Sequence, residues 1–285
     1  MKTVTTRLFG GLGNQMFQYA LGRTIAERHN CNLVLDSRET DTKDPHSKYA
    51  LSHFNIRATL GDNSNLPPER RTGLPYYLWR YFGKHPELVR ESHLGFNQNI
   101  PQCGSDIYLH GYFQTEKYFA GIAKQLRQDL TIKTPPSAEN KRWIEAIKSS
   151  NSVSLHVRRG DYITAKGGAH AVCDQAYYKR AINHIAAHCP KPEIFVFSDD
   201  PDWAQQNLDL GYKTRFSAHN DFTKHYEDMR LISHCKHNIT ANSTFSWWGS
   251  WLNDNPDKIV VAPKIWFGKT SMKNPDIIPD SWVRV

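Results

Sequence analysis

An α/β protein of two lobes, each built on a parallel sheet, is predicted by three features of the sequence. The N-terminus reads as strand, glycine loop, helix and strand in succession. Strands and helices alternate regularly from about residue 150 onward, and 285 residues more naturally form two domains sharing a cleft than one large core. Residues 1–135 are assigned to an N-terminal α/β lobe with an irregular region, and 136–285 to a C-terminal Rossmann-like lobe.

The first element is a β-like run from Val4 to Phe9, which leads into Gly10-Gly11-Leu12-Gly13-Asn14-Gln15. An apolar period of three to four then places Phe17, Leu21 and Ile25 on one helical face, with Met16, Ala20 and Thr24 beside it. Asn32 to Asp36 reads as a buried strand. From Ser37 to Pro101 the pattern weakens among scattered Pro, Gly and aromatic residues, among them Tyr76, Tyr77, Trp79, Tyr81 and Phe82, and irregular helices and loops are expected. Ile107 to Tyr112 is a second ordered stretch, Glu116 to about Leu130 a helical segment, and Thr134-Pro135-Pro136-Ser137 a linker. Beyond it come strand 152–157, helix 174–188, strand 193–197, helix 201–208, a short strand at 212–216, helix 225–235, strand 237–241, a helix start, and strand 258–262. A parallel sheet built this way binds its ligand at the carboxyl ends of its strands. The unusual residues fall just after those strands.

Composition narrows the partner. The 39% hydrophobic, 12% aromatic and 22% charged content is globular, and eight tryptophans with thirteen tyrosines agree with a partner whose sugar faces stack on rings. A net charge of +8 and a pI near 9.2 imply a polyanion or a phosphorylated small molecule. The basic residues occur only in pairs such as Arg70-Arg71, Lys141-Arg142 and Arg158-Arg159, without the dense stripe of a nucleic-acid binder. Five widely spaced cysteines, an odd number with no Cys-x-x-Cys, indicate reduced thiols in a cytoplasmic protein. With no apolar h-region and no run of membrane-spanning length, any membrane contact is expected to be peripheral. The triplets at Asn238 and Asn242 and the tripeptide Arg159-Gly160-Asp161 are then chance matches to glycosylation and adhesion signals.

Four loops carry the chemistry. After the strand at 152–155 comes His156-Val157-Arg158-Arg159-Gly160-Asp161-Tyr162. Adjacent arginines leaving a strand point to opposite faces, so one can grip phosphate oxygens with its fork while the other pairs internally; the plain alternative is a solvated basic turn. Phe197 runs into Ser198-Asp199-Asp200-Pro201, whose carboxylates can hold a metal, accept from a guanine or ribose, or cap the next helix. Ala241-Asn242-Ser243-Thr244-Phe245-Ser246-Trp247-Trp248-Gly249-Ser250-Trp251 places hydroxyls and free N–H groups at a helix start, a ready anion site, or else is a capped aromatic core helix. The loop Gly10 to Gln15 lacks the third glycine of a dinucleotide fingerprint and the Lys of a P-loop; it reads as a tight turn with Asn14 and Gln15 able to donate hydrogen bonds. His234, Cys235 and His237 have a metal set's composition but no second ligand pair, and no metal is expected there.

Taken together, Gly10 to Ala20, His156 to Tyr162, Phe197 to Asp200 and Asn242 to Gly249 resemble, in order and spacing, the bacterial α-1,2-fucosyltransferases of glycosyltransferase family 11. The resemblance implies a variant GT-B architecture of two Rossmann-like lobes with a donor-binding cleft between them. It also implies an inverting, metal-independent transfer from GDP-fucose, with no cofactor, to a galactose-terminated acceptor glycan. By position, Arg158 matches the diphosphate-binding arginine and His156 the histidine beside the nucleoside. One of Asp199 and Asp200, with Asp200 favoured, matches the guanine acceptor; Asn242, Ser243, Thr244 and Phe245 match the loop on phosphate and nucleoside; Gly13 and Asn14 match the donor-facing segment of the other lobe. Arg158, Asn14 and a general base form the catalytic set. For the base the choice lies between Asp161, preferred, and His170. The competing readings are a metal-dependent glycosyltransferase with a divalent ion on Asp199-Asp200, and a basic nucleic-acid-binding protein.

Overall fold

The computed structural model describes residues 2–40, 47–62, 66, 73–74, 77–78, 81, 86–159, 173–269 and 271–285. The chain divides into two compact units, Met1–Thr131 with Asn274–Ile277, and Ile132–Lys273 with Ile278–Val285.

In the first unit β1 (Thr3–Arg7) passes through a glycine turn into α1 (Leu12–His29) and then β2 (Asn32–Asp36). Asn30, left-handed at φ 46°, ends α1 by donating its N–H to the carbonyls of Ala26 and Glu27. β3 (Thr59–Leu60), β4 (Glu87–Arg90) and β5 (Ile107–His110) complete a sheet of order β3-β2-β1-β5-β4, parallel at every pairing. β3 and β4 lie in the stretch expected to be irregular. Both are edge strands, and of their six residues only Val89 is buried, so neither leaves an apolar pattern in the sequence. α1 is buried almost all round, and a Cβ on Gly22 would strike the Thr6 hydroxyl and Leu33, so the helix needs glycine where it crosses β1 and β2. The helix expected from Glu116 to Leu130 is broken: two 3₁₀ turns, Glu116–Tyr118 and Ala120–Ile122, precede α2 (Ala123–Asp129).

In the second unit the expected linker ends at Ser137, whose hydroxyl accepts from the Asn140 N–H (3.2 Å) and caps α3 (Ala138–Lys148), a helix the sequence reading did not include. The remaining elements are β6 (Ser152–Val157), α4 (Gln175–Ala186), β7 (Glu193–Ser198), α5 (Pro201–Asn207), β8 (Thr214–Phe216), α6 (His225–His234), β9 (His237–Ile239), α7 (Thr244–Leu252), β10 (Val260–Ala262) and β11 (Val283–Arg284). They form a parallel sheet of order β11-β10-β9-β6-β7-β8. Alternate residues of β7 fill two cores: Ile194 and Val196 pack with Tyr178, Ile182 and Leu155, and Phe195 and Phe197 with Trp143, Leu231 and Ile232. α7 anchors a ring cluster, with Trp247 5.0 Å from Trp248, 6.4 Å from Trp251 and 5.4 Å from Trp282 between centroids.

Several polar residues noted in the sequence are held by hydrogen bonds within the fold. Asn238 is fully buried, donating to Ser154 Oγ (2.7 Å) and accepting from Asn253 (2.7 Å). His234 contacts the Arg230 carbonyl, Cys235 the Leu231 carbonyl, and His237 Nδ1 accepts from the Ile259 N–H, so each is engaged by backbone. None of the five cysteines is in a disulfide. No helix among the described residues is long and apolar enough to cross a membrane.

Candidate functional site

From β6 the chain steps outward to β7 and β8, then returns to place β9 on the other side of β6. The carboxyl ends of β6 and β9 flank this switch point, where open parallel sheets bind ligands. Three of the four sequence segments meet there, because β9, β6 and β7 are neighbours and lead into Ala241–Phe245, Arg158–Arg159 and Asp199–Asp200 respectively.

Asp199 organises the arginines. Its Oδ2 lies 3.3 Å from Arg158 Nε and its Oδ1 accepts from the Arg159 N–H at 2.9 Å. Both Arg158 and Asp199 are mostly covered, at 20% and 14% side-chain exposure, so the pair is a built bracket between two strand ends, not a solvated turn. Arg159 turns the other way, its guanidinium carbon 3.5 Å from the centroid of the Trp203 ring. Opposite faces for adjacent arginines are what strand geometry requires. Asp200 is the helix cap: it accepts from the Trp203 N–H (3.2 Å), its own N–H donates to Ser198 Oγ (2.9 Å), and Pro201 opens α5.

His156 is the penultimate residue of β6 and 5% exposed, with its ring 5.5 Å from Phe245. Its backbone carbonyl accepts from Tyr178 Oη (3.2 Å), while Nδ1 has no hydrogen-bond partner among the described residues. Burial first, and the Arg158 charge second, push its pKa down to about 3, so the ring is neutral at every physiological pH. The folded value lies below the unfolded one, so the unfolded chain binds the extra proton and stability falls as pH drops below about 6.5. Burial likewise lowers His110, His219 and His237, while Asp228, raised to about 6, opposes them between its unfolded value and that pH. Melting temperature is therefore expected to fall between about pH 7 and pH 5, and to fall less in His156→Gln, by up to about 1.4 kcal/mol per pH unit in the underlying free energy. Equal slopes in the two proteins would show that this imidazole is not held neutral.

α7 starts at the same place. Ser243 caps it by accepting from the Phe245 N–H (3.3 Å), and Ser246 Oγ donates to the Ser243 carbonyl (3.2 Å). Asn242 is a lock rather than a surface group: buried, it donates to the Trp266 carbonyl (2.8 Å) and accepts from the Cys173 thiol. Thr244 and Phe245 are partly buried at the helix N-terminus, and His225, at the start of α6, lies 6.2 Å from the Phe245 ring. The N-terminus of a nine-residue helix and an arginine thus follow neighbouring strands, features from which anion sites are built, and the rings of His156 and Phe245 lie against each other there.

The fourth segment lies in the first unit, at its own switch point between β1 and β5. Gly10 is left-handed (φ 71°), and Gly13 is buried in the first turn of α1. Gln15 is fully buried and donates within the turn: its amide nitrogen donates to the carbonyls of Gly10 and Lys48 (2.8 Å each), and its oxygen accepts from the Ala50 N–H (3.0 Å). A side chain four positions into the helix from Gly11 can reach back to its own loop, where it takes the Gly10 carbonyl, and its other bonds tie that loop to the segment at 48–50. Asn14 is half-buried and its Oδ1 accepts from Gln114 Nε2 at 2.9 Å.

A sequence profile described as Glycosyl transferase family 11 matches residues 1–285. The chain belongs to glycosyl transferase family 11. A curated relative, the alpha-1,2-colitosyltransferase of Escherichia coli, is 33% identical over 302 residues, covering 100% of this chain and 99% of the relative. Galactoside alpha-(1,2)-fucosyltransferase 2 of Hylobates lar is 23% identical over 266 residues, covering 90% and 71%. Among solved structures, POFUT1 in complex with GDP-fucose aligns with a TM-score of 0.53 at 13% identity, over 99% of this chain and 98% of that one, a likeness of fold. The two parallel α/β lobes of this family 11 chain are the GT-B type of construction.

Within the family 11 chain, His156, Arg158, Asp199, Asp200, Asn242, Ser243, Thr244 and Phe245 are brought to the carboxyl ends of interior strands of the second unit, and Gly13 and Asn14 follow the carboxyl end of β1 in the first. Asp161 and His170 lie outside the described residues. Trp203, His225 and Gln114 were not singled out in the sequence. Gln114 had a signal: it follows the strand ending at His110 just as the other site residues follow theirs.

Proposed function

We propose that this chain is an inverting, metal-independent α-1,2-fucosyltransferase that moves fucose from GDP-fucose to O2 of a terminal galactose on an acceptor glycan. The observation that carries the reading is the bracket of Arg158 by Asp199 beside the N-terminus of α7, an anion site walled by neutral His156 and Phe245. Such a site suits a nucleoside diphosphate: the guanidinium and helix N–H groups face the phosphates, and the rings flank the nucleoside.

Departure of GDP leaves negative charge on the β-phosphate. Arg158, already oriented, stabilises that charge more in the transition state than in the ground state, which is the work a divalent ion does elsewhere. Asp199 is engaged by Arg158 and the Arg159 N–H, a use of the carboxylate that favours the metal-free reading over a metal pair. Attack by the acceptor hydroxyl on the face opposite GDP then inverts the β-linked donor to an α-linked product. Asp161 is the preferred proton acceptor, ahead of His170.

The test is transfer from GDP-fucose across a panel of galactosides, with linkage analysis of the product, run with and without EDTA. An α-1,2-fucosylated galactoside formed equally in EDTA is expected. Activity abolished by EDTA and restored by manganese would overturn the metal-free mechanism; no transfer to any galactoside, with steeply salt-dependent DNA or RNA binding, would overturn the enzyme reading. GDP should raise the melting temperature where ADP and UDP do not. A second donor is favoured by the 33% identical relative, named for colitosyl transfer. Colitose is fucose without its 3-hydroxyl, and competition between the two GDP-sugars by kcat/KM decides which this chain uses.

A further inference from the structure

We propose that Gln114 is a positioning residue that fixes the side-chain amide of Asn14 with its nitrogen outward, so that Asn14 serves as a hydrogen-bond donor and not as a proton acceptor. The proposal rests on the reading that Asn14 belongs to the catalytic set.

An asparagine amide has a donating and an accepting end, and its neighbours select which end faces a ligand. Gln114 Nε2 donates to Asn14 Oδ1 at 2.9 Å, which occupies the accepting end. The donating end lies over Gly10. A Cβ built there would come within 2.6 Å of Asn14 Nδ2, so the glycine, left-handed at φ 71°, leaves room for the amide nitrogen. The Gln114 hydrogen bond selects the orientation, and the glycine gives the amide room to take it.

Gln114 is itself held with unusual care. The preceding residue, Phe113, is fully buried yet left-handed at φ 54°, a conformation that is strained for a bulky residue and persists only where the surroundings impose it. They do so from both sides. Glu91, on the segment leaving β4, accepts from the N–H groups of Tyr112 (2.7 Å) and Phe113 (2.9 Å), and Asn274, from the returning segment Asn274–Ile277, donates to the Gln114 carbonyl (3.0 Å). A loop braced at three successive residues presents a side-chain amide that is 8% exposed and aimed at Asn14.

Gln114→Glu keeps the shape but turns a carboxylate toward Asn14 Oδ1, which rotates the amide and brings its oxygen outward. The expected result at about pH 7.5 is a ~10–100-fold loss of kcat with KM for the donor within about threefold and melting temperature within about 2 °C of wild type. At about pH 5.5, where part of the glutamic acid can donate again, the deficit relative to wild type narrows. Gln114→Met, which retains length without the amide, covers the case in which the carboxylate impairs folding, and the same kcat loss is expected of it without the pH dependence. If Gln114 acts through Asn14, adding Gln114→Glu to Asn14→Ala costs nothing further. Wild-type kcat in both Gln114 variants, or a full additive loss in the double variant, overturns the positioning role while the reading of Asn14 stands on its own impaired alanine variant. Wild-type turnover in Asn14→Ala alone overturns that reading instead.

Discussion

Arg158→Lys is expected to lower kcat by ~10²–10³-fold with little change in melting temperature, the range seen when one preorganised charge donor is removed from a transition state. The charge survives the substitution, so the loss isolates geometry. Asp199 holds the guanidinium at Nε, 3.3 Å away, and thereby sets the plane in which the terminal nitrogens lie. A lysine ammonium has no plane to set, is more strongly hydrated, and cannot give two parallel bonds to phosphate oxygens. Steady-state kinetics with GDP-fucose would separate kcat from KM, and a GDP melting shift would report binding. Turnover within about threefold of wild type would remove Arg158 from the clamp role.

Trp247→Ala carries the largest expected effect on stability. The indole is fully buried and touches the rings of Trp248, Trp251 and Trp282, so truncation removes aromatic contacts from α7 and leaves a cavity. About 3–5 kcal/mol is expected, which in a domain of this size lowers the melting temperature by roughly 10 °C or more. The site should respond as well. α7 holds Ser243, Thr244 and Phe245 at its first turn, so loosening its seat should shrink the stabilisation given by GDP even below the transition. A loss under 1 kcal/mol would show that the ring cluster does not carry the stability of α7, and a GDP shift as large as wild type's would show that the tryptophan seat and the anion site are independent.

The elements carrying the second-unit site were legible to within a residue or two because they are long in signal. β7 carries an unbroken apolar run at 194–197, β6 sets Val153, Leu155 and Val157 at alternate positions, and Asp174, Asp200 and Ser243 each cap the helix that follows them. Legibility failed where the pattern has little to report. β3 and β4 sit at sheet edges with one buried residue between them. The broken helix after Glu116 failed for another cause. Its composition is helical, but neighbouring packing holds Phe119 at φ −136°, and tertiary context overrides propensity.

By itself the sequence determined the chemistry available: an arginine pair, an aspartate pair and a hydroxyl-rich helix start, each placed just after a strand, because local propensity and hydrophobic period depend only on neighbours along the chain. Which of those groups act together was decided by strand order, which no local pattern encodes. The return of β9 to the side of β6 brings Ser243 and Phe245 to Arg158, though they lie some eighty residues apart in the chain. The division of labour within each pair was also tertiary. Asp199 became the bracket and Asp200 the cap, Arg158 joined Asp199 and Arg159 went to Trp203, because adjacent residues leaving a strand face opposite ways and only the surrounding elements supply a partner for each.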